Sequence, residues 1–292
     1  MVKKNNIINL NPFLQIIKKN KNINKIRSTK YNLPKIFGKN KISLDIRNFL
    51  NKKIKNDKIV RLKIFNFIVK YPIHQFGNTN FIDCINSGEL DAFNFYKKNK
   101  KYYKKVLDLG ANVGLHTIVL AKLGFKVTSF EPENIHFNYL KNNCKLNMVK
   151  CKIVKKAVYN KNGKIQMIKI HNHTPASHIV GEKKNPYGKL SRFTVQTVNF
   201  KDLIKKFDLI KIDIEGAEKK IIECTSVDDW HNTDAIVEIH SKENAKFIWD
   251  KFKNSKIKFY SQKTRKIINN LKSFPKNYTE GMVLITKKNN LF

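Results

Sequence analysis

Residues 106–114, Val-Leu-Asp-Leu-Gly-Ala-Asn-Val-Gly, constrain this chain more than any other stretch. A short apolar run leads through a turn containing Gly110 and Gly114 into a segment with Leu115, Ile118 and Val119 at helical spacing. Glu131 closes the next apolar run about twenty residues on, the separation a βαβ nucleoside site requires. Glycine at the turn keeps a Cβ from blocking backbone N–H groups at the helix start. A carboxylate at Glu131 can accept both hydroxyls of a ribose.

The turn reads G-A-N-V-G rather than the G-x-G-x-x-G of dinucleotide folds. Asp108 stands two residues before Gly110. An acid there repels a pyrophosphate but attracts an ammonium and a sulfonium. The pattern therefore favours S-adenosylmethionine over a nicotinamide dinucleotide, with Asp108, Gly110, Gly114 and Glu131 as cofactor contacts. Ala157, at the end of the third predicted strand, joins that set.

Strands are predicted at 62–69, 106–109, 126–130, 152–158, 207–212, 235–239, 257–260 and 282–285. Helices are expected from 114, over 135–146, from 216 and through 248–252. Segments 164–170 and 193–198 read as a β excursion around a loop carrying His171, His173 and His178, read as loop histidines. Strands alternating with helices imply a mostly parallel sheet covered on both faces. The final pair has no helix between its strands and adds an antiparallel edge. Residues 1–58 are expected to form a basic extension, 59–103 a segment packed on the catalytic domain, and 104–292 that domain.

The 292 residues carry a formal charge of +37, almost all of it lysine, since Arg27, Arg47, Arg61, Arg192 and Arg265 are the arginines. Two readings of that charge stand: non-specific attraction of polyanions, and the Lys/Asn/Ile bias of an A/T-rich coding sequence. No apolar run reaches the roughly 20 residues of a spanning helix. Asn9, Asn11 and Pro12 interrupt the only candidate h-region of a signal peptide, so a cytoplasmic protein is expected. Cys84, Cys144, Cys151 and Cys224 show no metal spacing and read as reduced structural thiols. Nothing in the pattern specifies an oligomer.

Ligands of open α/β sheets bind beyond the carboxyl ends of the strands. The fourth main strand ends in Lys211-Ile212-Asp213-Ile214-Glu215-Gly216-Ala217-Glu218, the fifth in Glu238-Ile239-His240. His240, Asp213 and Glu215 are the candidate catalytic residues. Asp213 also faces the cofactor, and His240 is a candidate base for deprotonating a hydroxyl. Asp213, Glu238 and His240 are alternatively a divalent-cation set that would lower the hydroxyl's pKa.

The stretches VLDLGANVGLHT (106–117), VTSFEPE (127–133), LIKIDIEGAE (209–218) and VEIH (237–240) resemble the FkbM-type methyltransferases. That resemblance implies the class I Rossmann-like fold, a seven-stranded sheet with its last strand antiparallel, and by motif position it adds Asn112 to the cofactor contacts Asp108, Gly110, Gly114 and Glu131. It also implies S-adenosylmethionine-dependent methylation of a hydroxyl on a saccharide or other small metabolite. An RNA or other nucleic-acid methyltransferase is the alternative that the charge raises. Against it, the fourth strand ends in Asp213-Ile214-Glu215-Gly216 rather than a D/N-P-P-Y turn, and Asn185-Pro186-Tyr187 falls in the excursion.

Overall fold

The computed structural model describes residues 7–19, 41–54, 58–183, 186, 188–289 and 291–292. The helices and strands in it run, in chain order, β1 (Ile7–Asn9), α1 (Asn11–Lys19), α2 (Lys41–Lys53), β2 (Ile59–Ile64), β3 (Phe67–Pro72), α3 (Ser87–Asn99), β4 (Lys105–Leu109) and α4 (Leu115–Lys122). They continue with β5 (Lys126–Phe130), α5 (Asn134–Leu146), β6 (Lys152–Val154), β7 (Ala157–Tyr159), β8 (Gly163–Ile170), β9 (His178–Ile179), β10 (Leu190–Asn199) and α6 (Lys201–Ile204). The last six are β11 (Leu209–Ile212), α7 (Glu218–Glu223), β12 (Asp234–Glu238), α8 (Lys242–Phe252), β13 (Lys258–Ser261) and β14 (Met282–Thr286).

Seven strands form the central sheet in the order β13-β14-β12-β11-β4-β5-β6. β12, β11, β4, β5 and β6 run parallel, and β14 is inserted antiparallel between β12 and β13. All four residues of β11 and all five of β14 are buried, as strands covered on both faces must be. The expected sheet with an antiparallel last strand is the sheet observed.

Three expectations from the residue pattern need correction. The run 62–69 is not one strand: β2 and β3 form a hairpin, with Ile64 opposite Phe67. Phe65 turns the chain at φ 55°, a left-handed conformation rare for an aromatic residue. The side-chain amide of Asn11 holds it there, donating to Phe65 O at 2.8 Å and accepting from Phe65 N at 2.6 Å. The run 152–158 is also two strands. β6 stays in the central sheet, while β7 begins at Ala157 and pairs with β10. The excursion is larger than expected, a four-stranded sheet ordered β7-β10-β8-β9.

Residues on both sides of position 58 share one sheet, because β1 pairs in parallel with β2, Ile7 opposite Arg61. Leu14 and Ile17 of α1 and Ile42, Ile46 and Leu50 of α2 are buried in the same core as β2 and α3. The parts of the leader at 1–6 and 20–40 lie outside the described residues. Among the described residues, no helix is long and apolar enough to cross a membrane.

Candidate active site

A cavity of about 260 Å³ opens at the carboxyl ends of β4, β5, β11 and β12, near the lower edge of the roughly 300–1,000 Å³ usual for small-molecule sites. The turn after β4 forms one wall. Gly110 has φ +70°, and a Cβ there would lie 1.8 Å from the carbonyl oxygen of Asp213. Glycine is thus needed for contact with the end of β11. The backbone amides of the turn are not left open as the pattern led one to expect. Gly110 N and Ala111 N donate to Phe130 O at 3.2 and 3.1 Å, and Gly114 N donates to Ala111 O at 2.8 Å.

Asn112 N donates to Glu131 Oε2 at 2.8 Å, and Glu133 N donates to Glu131 Oε1 at 2.9 Å. Each carboxylate oxygen therefore accepts one backbone N–H and keeps a second lone pair toward the cavity. Burial pushes the Glu131 carboxyl up to about 7, against the pull of the two backbone donors and Lys211. Glu133, which the motif reading left without a role, caps α5 by accepting from Ile135 N and His136 N at 2.7 and 2.9 Å, and pairs with Lys169 at 2.9 Å.

Asp108 is completely buried and lies outside the cavity wall. Its Oδ2 accepts from Thr117 Oγ1 at 2.6 Å, and its Oδ1 faces Lys211 Nζ at 3.6 Å without a hydrogen bond. Lys211 Nζ also lies 3.1 Å from Asp213 Oδ2 and donates to Gly110 O at 3.2 Å. The register of β4 and β11 sets Lys211 beside Asp108, so one buried ammonium ties the two expected acids together. Lys211 itself went unselected in the sequence, although a lysine inside the buried run Leu-Ile-Lys-Ile is a visible anomaly.

Asp213, Glu215 and Glu238 line the far wall. Burial would raise Asp213, but Lys211 and His240 outweigh it and hold the group at about 2. Burial and the neighbouring Asp213 push Glu238 up to about 8. His240 stands behind this wall, its Nε2 at 3.3 Å from Glu238 and 3.5 Å from Glu215, its Nδ1 at 2.9 Å from Glu218. Burial opposes its protonation, yet Glu218, with Glu238 and Glu215, keeps it protonated well above the usual imidazole range. The three surrounding carboxylates therefore favour the imidazolium form of His240 over the neutral base. Glu218, the first residue of α7, is fully buried; it accepts from Gly216 N at 3.0 Å and binds Asn244. Nothing in the position of Glu218 along the chain marks it as buried.

Ala157 lines the cavity between Lys156 and Val158, and Gly110 and Asn112 line it from the β4 turn. Gly114 does not; a Cβ there would meet Leu140 Cδ1 at 2.5 Å, so its glycine serves the packing of α4 against α5. Two further elements, the segment before β4 and the loop of the excursion, complete the enclosure. Asp83, Asn86 and Glu89 come from the segment before and into α3, and His173, Thr174 and Ser177 come from the excursion. Glu89 binds His116, whose other ring nitrogen meets Tyr96 OH at 2.9 Å. Among the described residues, Asp213, Glu238 and His240 are the group whose donor atoms converge, all within 4.8 Å; His171, His173 and His178 form no such group. Of Asn185-Pro186-Tyr187, Asn185 and Tyr187 lie outside the described residues.

A family description, methyltransferase FkbM domain, matches residues 108–271, from the cradle through the acidic wall to the approach to β14. The chain belongs to the FkbM methyltransferase family. A search of curated proteins finds no match for it. Among solved structures, this FkbM-family chain is similar to a tRNA (uracil-54, C5)-methyltransferase of Pyrococcus abyssi bound to S-adenosyl-L-homocysteine, at 14% identity and TM-score 0.39 over 79% of this chain and 44% of that one. It is also similar to the 16S rRNA N2 G1207 methyltransferase of T. thermophilus bound to AdoMet and guanosine, at 13% identity and TM-score 0.41 over 79% and 50%. A ribosomal protein L11 methylase from Lactobacillus delbrueckii subsp. bulgaricus aligns at 13% identity and TM-score 0.40 over 70% and 81%. The chain spans about half the length of the first two.

Proposed function

We propose that this FkbM-family protein is an S-adenosylmethionine-dependent O-methyltransferase acting on a hydroxyl of a saccharide or other small metabolite. One observation supports the reading: the Glu131 carboxylate, of the chemistry that accepts ribose hydroxyls, lines the same cavity as the acidic wall of Asp213, Glu215 and Glu238. S-adenosylmethionine, when bound, supplies an electrophilic methyl group on a sulfonium. Glu131 accepts the ribose hydroxyls through its free lone pairs. The acidic wall favours positive charge at the methionine end and orients the acceptor hydroxyl. A hydroxyl loses its proton as the new bond forms, so the site needs a proton acceptor close to that oxygen.

Calorimetry with S-adenosylhomocysteine tests the cofactor. Hydroxyl donors favour the ionised form of Glu131, so affinity rises as pH increases through about 7. Glu131→Gln loses roughly 10- to 100-fold in affinity, the size expected for hydrogen bonds to a charged acceptor, and its affinity becomes flat with pH. No detectable binding by the unaltered protein ends the proposal.

The acceptor chemistry predicts a pH profile. Asp213, held at about 2, is a weak base, and His240 is favoured as the cation, so the wall gains a strong proton acceptor when Glu238, pushed up to about 8, ionises. Methyl transfer to the acceptor therefore rises with pH to an inflection near 8, which belongs to the coupled cluster rather than to one residue. Glu238→Gln removes that rise and lowers kcat by about 10²- to 10⁴-fold, the usual worth of a positioned base. An inflection that survives Glu238→Gln contradicts the assignment.

Asp213, Glu238 and His240 also fit a divalent ion, two carboxylates and one imidazole with donor atoms inside one coordination sphere. They would hold it and it would lower the pKa of a bound hydroxyl. Ligands must be deprotonated, so the ion would displace the protons of both Glu238 and His240, and chelation should move the inflection upward. The nucleic-acid alternative is favoured by the +37 charge. Methylation of a defined RNA position, with a steep salt dependence of affinity, would select it; weak sequence-independent RNA binding would not.

A further inference from the structure

A second cleft of about 960 Å³ opens between α1, α3, residues 264–266 and the C-terminal residues 291–292. It lies away from the methyl-transfer cavity. At 100° per residue, Asp91, Asn94, Phe95 and Lys98 occupy the face of α3 opposite Glu89, which lines the first cavity. Of the 17 lining residues, six are cationic: Lys18, Lys19, Lys97, Lys98, Arg265 and Lys266. That is about one in three, against 59 Lys and Arg in 292 residues overall. Asp91 is the only acid among them, and Arg265 already binds it.

The cleft has a fixed frame. Arg265 Nη1 donates to Lys18 O at 2.9 Å and Nη2 to Ile17 O at 2.7 Å, satisfying carbonyls at the end of α1 that the helix leaves unpaired. Its ion pair with Asp91 fastens α1 to α3. Lys97 Nζ sits 4.3 Å from the centre of the Phe65 ring, held beside the hairpin. Burial, with Arg265 and Lys18 close by, pulls Lys98 below the usual lysine range, a sign that like charges crowd together here. Cations gathered on a rigid frame repel one another until an anion neutralises them.

We propose that this cleft binds a compact ligand bearing a di- or triphosphate-type anion. Phosphoanhydride oxygens offer many acceptors to ammonium donors, and the volume matches a small-molecule site. A concave pocket suits such a ligand better than a nucleic-acid strand, which needs an open face along its backbone. The inference is independent of the methyl-transfer reading.

Titration calorimetry of the full chain with inorganic pyrophosphate, at about 0.15 M salt where long-range attraction is screened, tests it. Saturable binding is expected. Lys98→Glu/Lys266→Glu should weaken it by at least about tenfold, a modest loss for charge-assisted hydrogen bonds. Lys98→Gln/Lys266→Gln should repeat the loss if charge reversal disturbs folding, with S-adenosylhomocysteine binding unchanged in both. Lys150→Glu/Lys152→Glu, exposed residues at and before the opposite edge strand β6, should leave pyrophosphate binding intact. Equal losses at both places would assign binding to the general surface field and overturn the proposal. So would the absence of saturable pyrophosphate binding, or capture of a single-stranded RNA at these lysines without pyrophosphate competing.

Discussion

Lys211→Met should destabilise the fold by about 3–5 kcal/mol, the cost of stranding a buried charge, measured by denaturant unfolding. Methionine keeps the length of the side chain but removes the ammonium that Asp108 and Asp213 share at 3.6 and 3.1 Å. Asp108 suffers most. It is fully buried, and its Oδ1 has no hydrogen-bonding partner to fall back on. A typical domain is stable by only about 5–15 kcal/mol, so the loss would be a large share of the total. Asp108→Asn in the same chain removes the stranded charge and should recover part of the loss, a coupling that a double-mutant cycle reads directly. A single-variant cost below about 1 kcal/mol, within the range of exposed ion pairs, would show that Lys211 does not hold the two acids.

The same triad gives a sign to the acid response. Asp213 is lowered from 3.8 to about 2, so the stability it contributes is fully present above pH 4 and lost as pH falls toward 2. Without Lys211 that loss should begin at higher pH.

Gly110→Ala is expected to abolish S-adenosylhomocysteine binding and to cost more than about 3 kcal/mol, placing it among the most damaging single substitutions. Left-handed backbone alone penalises alanine by about 1–2 kcal/mol. The added Cβ would in addition sit 1.8 Å from Asp213 O, so either the β4 turn or the end of β11 must move. Both are cavity walls. Gly181→Ala is the internal control. Gly181 has a similar φ of +87°, but nothing lies within 4 Å of its added Cβ. Calorimetric binding and thermal unfolding of the two variants separate backbone strain from collision. Equal behaviour would mean that Gly110 matters only for its conformation.

These effects mark where sequence reading succeeds and where it stops. The strand expected at 126–130 is β5, Lys126–Phe130, and the helix expected over 135–146 is α5, Asn134–Leu146. Apolar period and capping residues are local, so adjacent residues suffice to read them. The hairpin at Phe65 escaped because its turn contains no glycine; the partner that stabilises it, Asn11, is 54 residues away. The break between β6 and β7 escaped because Lys155 and Lys156 continue an extended pattern with no Gly or Pro to mark a turn.

For the site, the chain order of Gly110, Glu131, Asp213, Glu238 and His240 was enough to name the family and the cavity's main walls. Their protonation was beyond its reach. Whether an acid is ionised depends on burial and on charges a few ångströms away in space, and those are set by strand register. Register places Lys211 against Asp108, and the packing of α7 against α8 places Glu218 on His240. Residue types and spacing determined the fold and the chemistry available. Packing alone decided that three carboxylates surround the histidine, that Asp108 is buried beside Lys211, and that a distant leader helix walls a second, basic cleft.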